Sequence, residues 1–253
     1  MRTFAAIVAI TVVLYAAACA ALYFFQRSLI YFPQRGASAD PATRMKLAVE
    51  GAELQVSIRP HPGPNALIYF GGNAEDVSAG LSDLAPAFPD SAVFLMHYRG
   101  FGGSSGMPSE AALQKDALAL FDKVHATHPN TVVVGRSLGS GIAIRLATQR
   151  PVARLVLVTP YDSLQDLAAS LYPMFPVRWL LTDKYESGRY ARLVTAPTTL
   201  IAAERDEVIP RWSTDRLHAR FGQGVAKFVV LPRTGHNTIS GHPLYLPLLQ
   251  GKV

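Results

Sequence analysis

Cysteine is almost missing from this chain: Cys19 is the one copy in 253 residues. A single thiol can form neither an intramolecular disulfide nor a thiolate metal cage. The seven histidines contain no His-x-x-x-His and no His-Glu-x-x-His spacing, so the helical two-histidine metal motif is excluded too. No metal and no cofactor is expected. Lys and Arg never stand side by side, and no aromatic–basic interleaving accompanies the net charge of +6. That pattern fits scattered surface arginine, helped by attraction to anionic lipid, and not a nucleic-acid surface. Internal repeats are absent. Charged residues are scarce, at 17%, and the mean hydropathy of +0.18 is high for a soluble domain.

Much of that hydrophobicity sits at the amino-terminal end. No charge occurs from Phe4 to Phe25, between Arg2 and Arg27. Such a run is long enough for one transmembrane helix, and Tyr23, Phe24 and Phe25 resemble an interfacial aromatic belt. A cleaved signal peptide, or a lipoprotein signal ending Ala16-Ala17-Ala18-Cys19, competes with this reading. Signal cores are shorter, however, and here the apolar run continues past Cys19 with no polar cleavage region. Residues 1–27 are therefore expected to form an anchor, 28–43 a linker, whose first part Ser28–Pro33 lies along the bilayer surface or tucks under the domain, and 44–253 one α/β domain. Arg2 favours a cytoplasmic amino terminus, while Arg27 and Arg35 favour the reverse. The domain is expected on the non-cytoplasmic side of the membrane.

Val132-Val133-Val134-Gly135-Arg136-Ser137-Leu138-Gly139-Ser140-Gly141 is the stretch that organises the domain. A β-branched run enters Gly-x-Ser-x-Gly, and an Ala/Ile/Leu-rich segment leaves it. That is strand, sharp turn and helix, with the serine at the apex. Gly135 and Gly139 let the flanking backbones approach closely. The helix amino terminus points free N–H groups and its positive dipole end at the serine. Ser137 is thus a candidate nucleophile that needs a base and an oxyanion site.

Buried parallel strands are expected where apolar runs occur: Ala66–Phe70, Ala92–Met96, Val132–Val134, Leu155–Val158, Thr198–Ala203 and Lys227–Leu231. Leu47–Val49 and Leu54–Ile58 read as short antiparallel strands before them. Straight after Ala66–Phe70 comes Gly71-Gly72-Asn73, whose exposed amides can meet an oxyanion, with Asn73 N–H the best donor. The plainer reading is a strand-to-helix loop capped by Asp76. The Gly-rich loop from His97 to Gly106 has no helix-opening Gly-Lys-Ser/Thr and is no P-loop. Arg99 there could meet a substrate anion, but a structural ion pair or hydrogen bonds to loop carbonyls are expected instead, and His97 is expected packed at a strand end. Asp206 follows a late strand, and His236 sits in a Gly-bearing loop after the last one. The order Ser137, Asp206, His236 is that of the α/β-hydrolases. Asp162 also follows a strand and is a weaker acid candidate. Residues 161–190 are apolar but broken by Pro173 and Pro176, which suits a small helical cap over an acyl pocket or, as the plainer alternative, simple packing on the domain.

Taken together, these motifs resemble the serine α/β-hydrolase superfamily, and most of all its N-terminally membrane-anchored esterase and depalmitoylase-like branch. The resemblance is carried by Gln26–Pro33, Tyr69–Ala74, Tyr98–Gly106, Gly135–Gly139, Asp206–Pro210 and Gly235–Asn237. It implies an α/β-hydrolase fold with about eight mostly parallel strands and helices on both faces. It also implies Ser137 as nucleophile, His236 as base, Asp206 as orienting acid, and Leu138 and Asn73 as backbone oxyanion donors. One departure is the Gly71-Gly72 pair, where the branch usually has His-Gly.

The implied chemistry is two-step acyl transfer from a small or lipid-like ester or thioester, with no cofactor. Two other readings stand beside it. One is a catalytically silent, membrane-tethered scaffold on the same fold, against which the intact Ser/Asp/His set argues. The other is a peptidase on the same triad, whose usual large cap has no room here.

Overall fold

The structure, a computed structural model, describes residues 1–34 and 43–252. Eight strands form one sheet in the order β1-β2-β4-β3-β5-β6-β7-β8. They are β1 (Arg44–Val49), β2 (Ala52–Arg59), β3 (Asn65–Phe70), β4 (Ala92–Met96), β5 (Asn130–Arg136), β6 (Arg154–Val158), β7 (Thr198–Ala203) and β8 (Ala226–Leu231). β1 and β2 pair antiparallel at one edge, and β2 joins β4 the same way. Every other pairing is parallel.

The strand periodicity explains the layers. On β3, Ala66, Ile68 and Phe70 enter one core, and Leu67 and Tyr69 enter the other. Alternate side chains point to opposite faces, so a strand covered on both sides must be apolar throughout. The first face is covered by α3 (Glu110–His125) and α4 (Leu138–Ala147). On the second face lie α2 (Leu81–Ala87) and α9 (Tyr245–Gln250). Ser109 caps α3 by accepting from the Ala112 amide at 3.2 Å, the side-chain capping that favours serine before a helix.

The segment between β6 and β7 is built from α5 (Leu164–Leu171), α6 (Val177–Leu180) and α7 (Ser187–Ala191). Pro173 and Pro176 lie between α5 and α6, where proline interrupts a helix most readily. After β7 comes α8 (Arg211–His218).

The amino-terminal helix α1 covers Arg2–Ile30 and is long and apolar enough to cross a membrane. It runs beyond residue 27, where the anchor was expected to end, because Ser28, Leu29 and Ile30 continue the helix. Ile30 and Tyr31 are buried against the domain, the tucked arrangement of the two expected for Ser28–Pro33. The remainder of the expected linker, residues 35–42, lies outside the described residues, and Arg35 with it.

Candidate active site

The carboxyl ends of β3, β5, β7 and β8 meet at one end of the sheet, where open α/β sheets bind ligands. At the end of β5, Ser137 has φ 50° and ψ −117°. Positive φ is unfavourable for a residue with a Cβ, and its persistence marks a turn held by its surroundings. The holding contacts are visible. The Ser137 amide donates to Val158 O on β6 at 2.9 Å, and the Gly139 amide donates to Gly71 O at 3.1 Å. A Cβ on Gly139 would stand 2.1 Å from Phe70 O, and one on Gly135 would stand 2.5 Å from Gly139 O. Both glycines are required by this close approach of strand and helix.

His236 Nε2 lies 3.0 Å from Ser137 Oγ. Its Nδ1 faces both oxygens of Asp206, at 2.9 and 3.0 Å. An ionised carboxylate only accepts, so the proton belongs on Nδ1 and Nε2 is left to accept from the serine hydroxyl. Asp206 is itself oriented. Its Oδ1 accepts from the Val208 and Ile209 amides at 2.9 and 2.7 Å. Ser137 and His236 are buried.

Asp162, the weaker acid candidate, stands elsewhere. It faces Arg216 and Arg220 at 4.0 and 3.9 Å, and burial raises its pKa. Arg99 forms a two-point pair with Asp116, 2.8 and 2.7 Å, and also donates to Glu50 O. His97 is buried against Ser57 Oγ at 2.8 Å, and desolvation lowers its pKa to about 4.

The backbone amides of Asn73 and Leu138 find no acceptor among the described residues, and both residues line the same cavity as Ser137. Asp76 also caps the turn after the loop, accepting from Ser78 N at 3.1 Å. The Gly71 position has no space for a larger side chain: a Cβ there would lie 2.5 Å from Val77 Cγ1 and 3.1 Å from Glu75 Oε2. Glu75 therefore occupies the region beside the Gly-Gly turn.

That glutamate is among the residues sequence reasoning missed. Its Oε2 accepts from the Gly72 amide at 2.8 Å and pairs with Arg136 at 3.0 Å, while Tyr69 donates to Oε1 at 2.8 Å. Arg136 also donates to His236 O at 3.3 Å. One ion pair thus joins the loop after β3, the elbow and the histidine loop. Glu207 was missed as well; it accepts from the His236 amide at 3.0 Å. An acid beside a Gly-Gly pair and an arginine inside the Gly-x-Ser-x-Gly were the available signals.

The cavity above Ser137 has a volume of about 570 Å³, within the roughly 300–1,000 Å³ usual for ligand pockets. Leu138, Val208 and Ile209 line it with Ser137, α5 and α6 supply apolar side chains, and α1 contributes as well.

A family model for serine aminopeptidase S33 (Hydrolase_4) matches residues 81–190. An uncharacterized protein of Mycobacterium tuberculosis is 38% identical over 230 residues, covering 84% of this chain and 80% of that one. The lysophosphatidylserine lipase ABHD12 of Xenopus tropicalis is 32% identical over 138 residues, 47% of this chain and 36% of its own. Among solved structures, a Pyrococcus furiosus esterase superposes with a TM-score of 0.66 at 15% identity, covering 88% of this chain and 96% of that chain, a likeness that speaks for the fold. Sheet order, elbow and relatives agree, and the chain belongs to the α/β-hydrolase superfamily.

Proposed function

We propose that this protein is a membrane-anchored serine hydrolase that cleaves carboxylic esters or thioesters with a lipid-like acyl group. The observation that carries the reading is the 3.0 Å contact between His236 Nε2 and Ser137 Oγ, made at a serine held with positive φ. His236 takes the hydroxyl proton as Oγ attacks the acyl carbon. Asp206 keeps the imidazole in the productive tautomer and stabilises the imidazolium. The Asn73 and Leu138 amides bind the oxyanion, each contributing on the order of 3 kcal/mol to transition-state stabilisation. His236 then returns the proton to the leaving alcohol or thiol. Water gives a proton to the same histidine as its oxygen attacks the acyl carbon, and His236 returns that proton to Ser137 Oγ as the bond to the serine breaks and the acid leaves.

The acyl preference rests on the cavity, which is chiefly apolar. ABHD12 of Xenopus tropicalis, named as a lysophosphatidylserine lipase, is a relative with a lipid substrate. In this reading α1 spans the bilayer, and the domain lies on its non-cytoplasmic side.

Amide cleavage is the second reading, favoured by the description of the matching family model. An aminopeptidase needs an anion for the free amine of its substrate, and none of the described lining residues is acidic. That composition favours the ester.

The test is labelling of the detergent-extracted protein with a fluorophosphonate, beside Ser137→Ala, followed by matched ester and amide substrates. Labelling lost in the variant and turnover of esters support the proposal. Folded wild-type protein that takes up no label would sink it in favour of a silent scaffold.

A further inference from the structure

The helix α1 is bound to the domain far more closely than a tether requires. Gln26 Oε1 accepts from the Thr182 amide at 2.7 Å and from its hydroxyl at 2.9 Å, while Gln26 Nε2 donates to Leu180 O at 3.1 Å. Arg27 pairs with the buried Asp183 at 3.2 Å, and Tyr31 donates to the same carboxylate at 3.0 Å. The helix end also holds the loop after β3: Asn73 Nδ2 donates to Ile30 O at 2.8 Å, and the Phe32 amide donates to Asn73 O at 2.9 Å. A helix end fixed at this many points cannot swing freely about the domain.

This docking turns one face of α1 into the cavity above Ser137. Leu22, Gln26, Leu29 and Ile30 line it, at the i, i+4, i+7, i+8 spacing of a single helical face. Across the gap stand Leu171 and Tyr172 of the cap. Leu29, Leu171 and Tyr172 are at once cavity lining and largely exposed, so the mouth lies between α1 and the cap.

The cap tip follows α1 toward its apolar middle. Tyr15 stacks on Phe175 with ring centroids 5.9 Å apart, and its hydroxyl donates to Met174 O at 2.8 Å. Tyr15 lies about 16 Å along the axis from Gln26 at the helical rise. The tip also suits hydrocarbon. Met174 and Trp179 are exposed, Pro173 and Pro176 have no amide hydrogen, and the Tyr172, Phe175, Val177 and Trp179 amides are bonded within the segment, while Met174 N has no backbone acceptor among the described residues and the charged Arg178 turns to Asp166 at 3.2 Å. Irregular backbone is tolerated at membrane depth where its polar groups are satisfied, as they are here for these four amides.

We infer that α1 is a wall of the acyl-binding site as well as an anchor, and that the gap between α1 and the cap tip is a side entrance through which an acyl chain passes from the bilayer to Ser137. The inference rests on the hydrolase reading above and adds what sets chain length. Side chains at 22 and 29 limit how much acyl chain the cavity accepts. Each buried methylene is worth about fourfold in affinity, so filling this wall penalises long chains selectively.

The experiment uses the full chain in lipid nanodiscs. Leu22→Trp and Leu29→Trp are expected to lower the ratio of p-nitrophenyl palmitate to butyrate kcat/KM by about tenfold or more. Leu14→Trp, elsewhere on α1, leaves the ratio unmoved. A second measurement needs no variant: wild-type protein is treated with a hexadecyl fluorophosphonate carrying a mid-chain diazirine. Ser137 Oγ bonds to phosphorus, fluoride leaves and the serine proton passes to His236. Irradiation should then cross-link the chain to the 2–30 segment. Cross-links confined to the rest of the cavity, or a ratio that Trp at 22 and 29 does not move, overturn the wall. Wild-type protein that neither labels nor turns over either ester overturns the hydrolase reading, and this inference with it.

Discussion

Asp206 presents both carboxylate oxygens to His236 Nδ1, at 2.9 and 3.0 Å, while two backbone amides hold Oδ1 from the other side. The carboxylate is thus held by its own turn as well as by the imidazole. Replacing Asp206 by Asn puts an amide against Nδ1, which favours the wrong tautomer. We expect kcat on an ester to fall by about 10⁴-fold. Asp162→Asn, beside Arg216 and Arg220, should stay within about tenfold of wild type. Steady-state kinetics of the two variants decide this, and the reverse ranking would unseat Asp206.

The elbow depends on contact between backbones. Gly139→Ala drives a methyl onto Phe70 O and Gly71 O, at 2.1 and 2.7 Å. Neither carbonyl can withdraw without breaking the sheet end. A loss of about 3 kcal/mol or more is expected, seen as a lowered denaturation midpoint together with lost fluorophosphonate labelling. Gly241→Ala, where a Cβ meets nothing within 4 Å, should leave both unchanged.

The Glu75–Arg136 pair is largely buried, with 20% and 15% of the side chains exposed. Removing one partner leaves the other charge uncompensated, and Glu75→Gln is expected to destabilise by about 2–3 kcal/mol. It also frees the Gly72 loop next to Asn73, so kcat should fall more than KM changes. A double-mutant cycle with Arg136→Gln, read by chemical denaturation, should give strongly non-additive losses. Additivity would mean that the pair does not act as one unit.

His97 supplies a pH dependence whose sign follows from its burial. Desolvation and Arg44 lower its pKa from the usual range to about 4, while Asp76 works in the opposite direction. The neutral ring is what the folded state accommodates. Its contribution is fully present above pH ~6.5 and is lost as pH falls through about 4, a change of roughly 3 kcal/mol. Burial raises Glu110, whose contribution runs the other way, so the comparison must be between variants. The stability of His97→Asn minus that of wild type should rise between pH 6.5 and 4. A flat difference would contradict the assignment.

Local patterns were enough for much of this architecture. The Val132–Val134 run, Gly135, Ser137 and Gly139 determine strand, elbow and helix, because periodicity and backbone freedom act within a few residues. The same holds for the strands, whose apolar runs reflect burial on both faces. The uncharged run Phe4–Phe25 locates α1 but not its end, which lies beyond Arg27 at Ile30.

What only the tertiary structure decided concerns residues far apart in the chain. β3 lies beside β5 although β4 comes between them in sequence, and that adjacency brings Glu75 to Arg136 and Gly71 to Gly139. The docking of α1 is of the same kind. Gln26, Arg27 and Tyr31 meet partners near residue 180, and no short window of sequence holds both members of any of those pairs. Hydrophobic spacing marks which residues of α1 share a face. Which neighbour that face meets depends on buried hydrogen bonds that exist only once the chain has closed on itself.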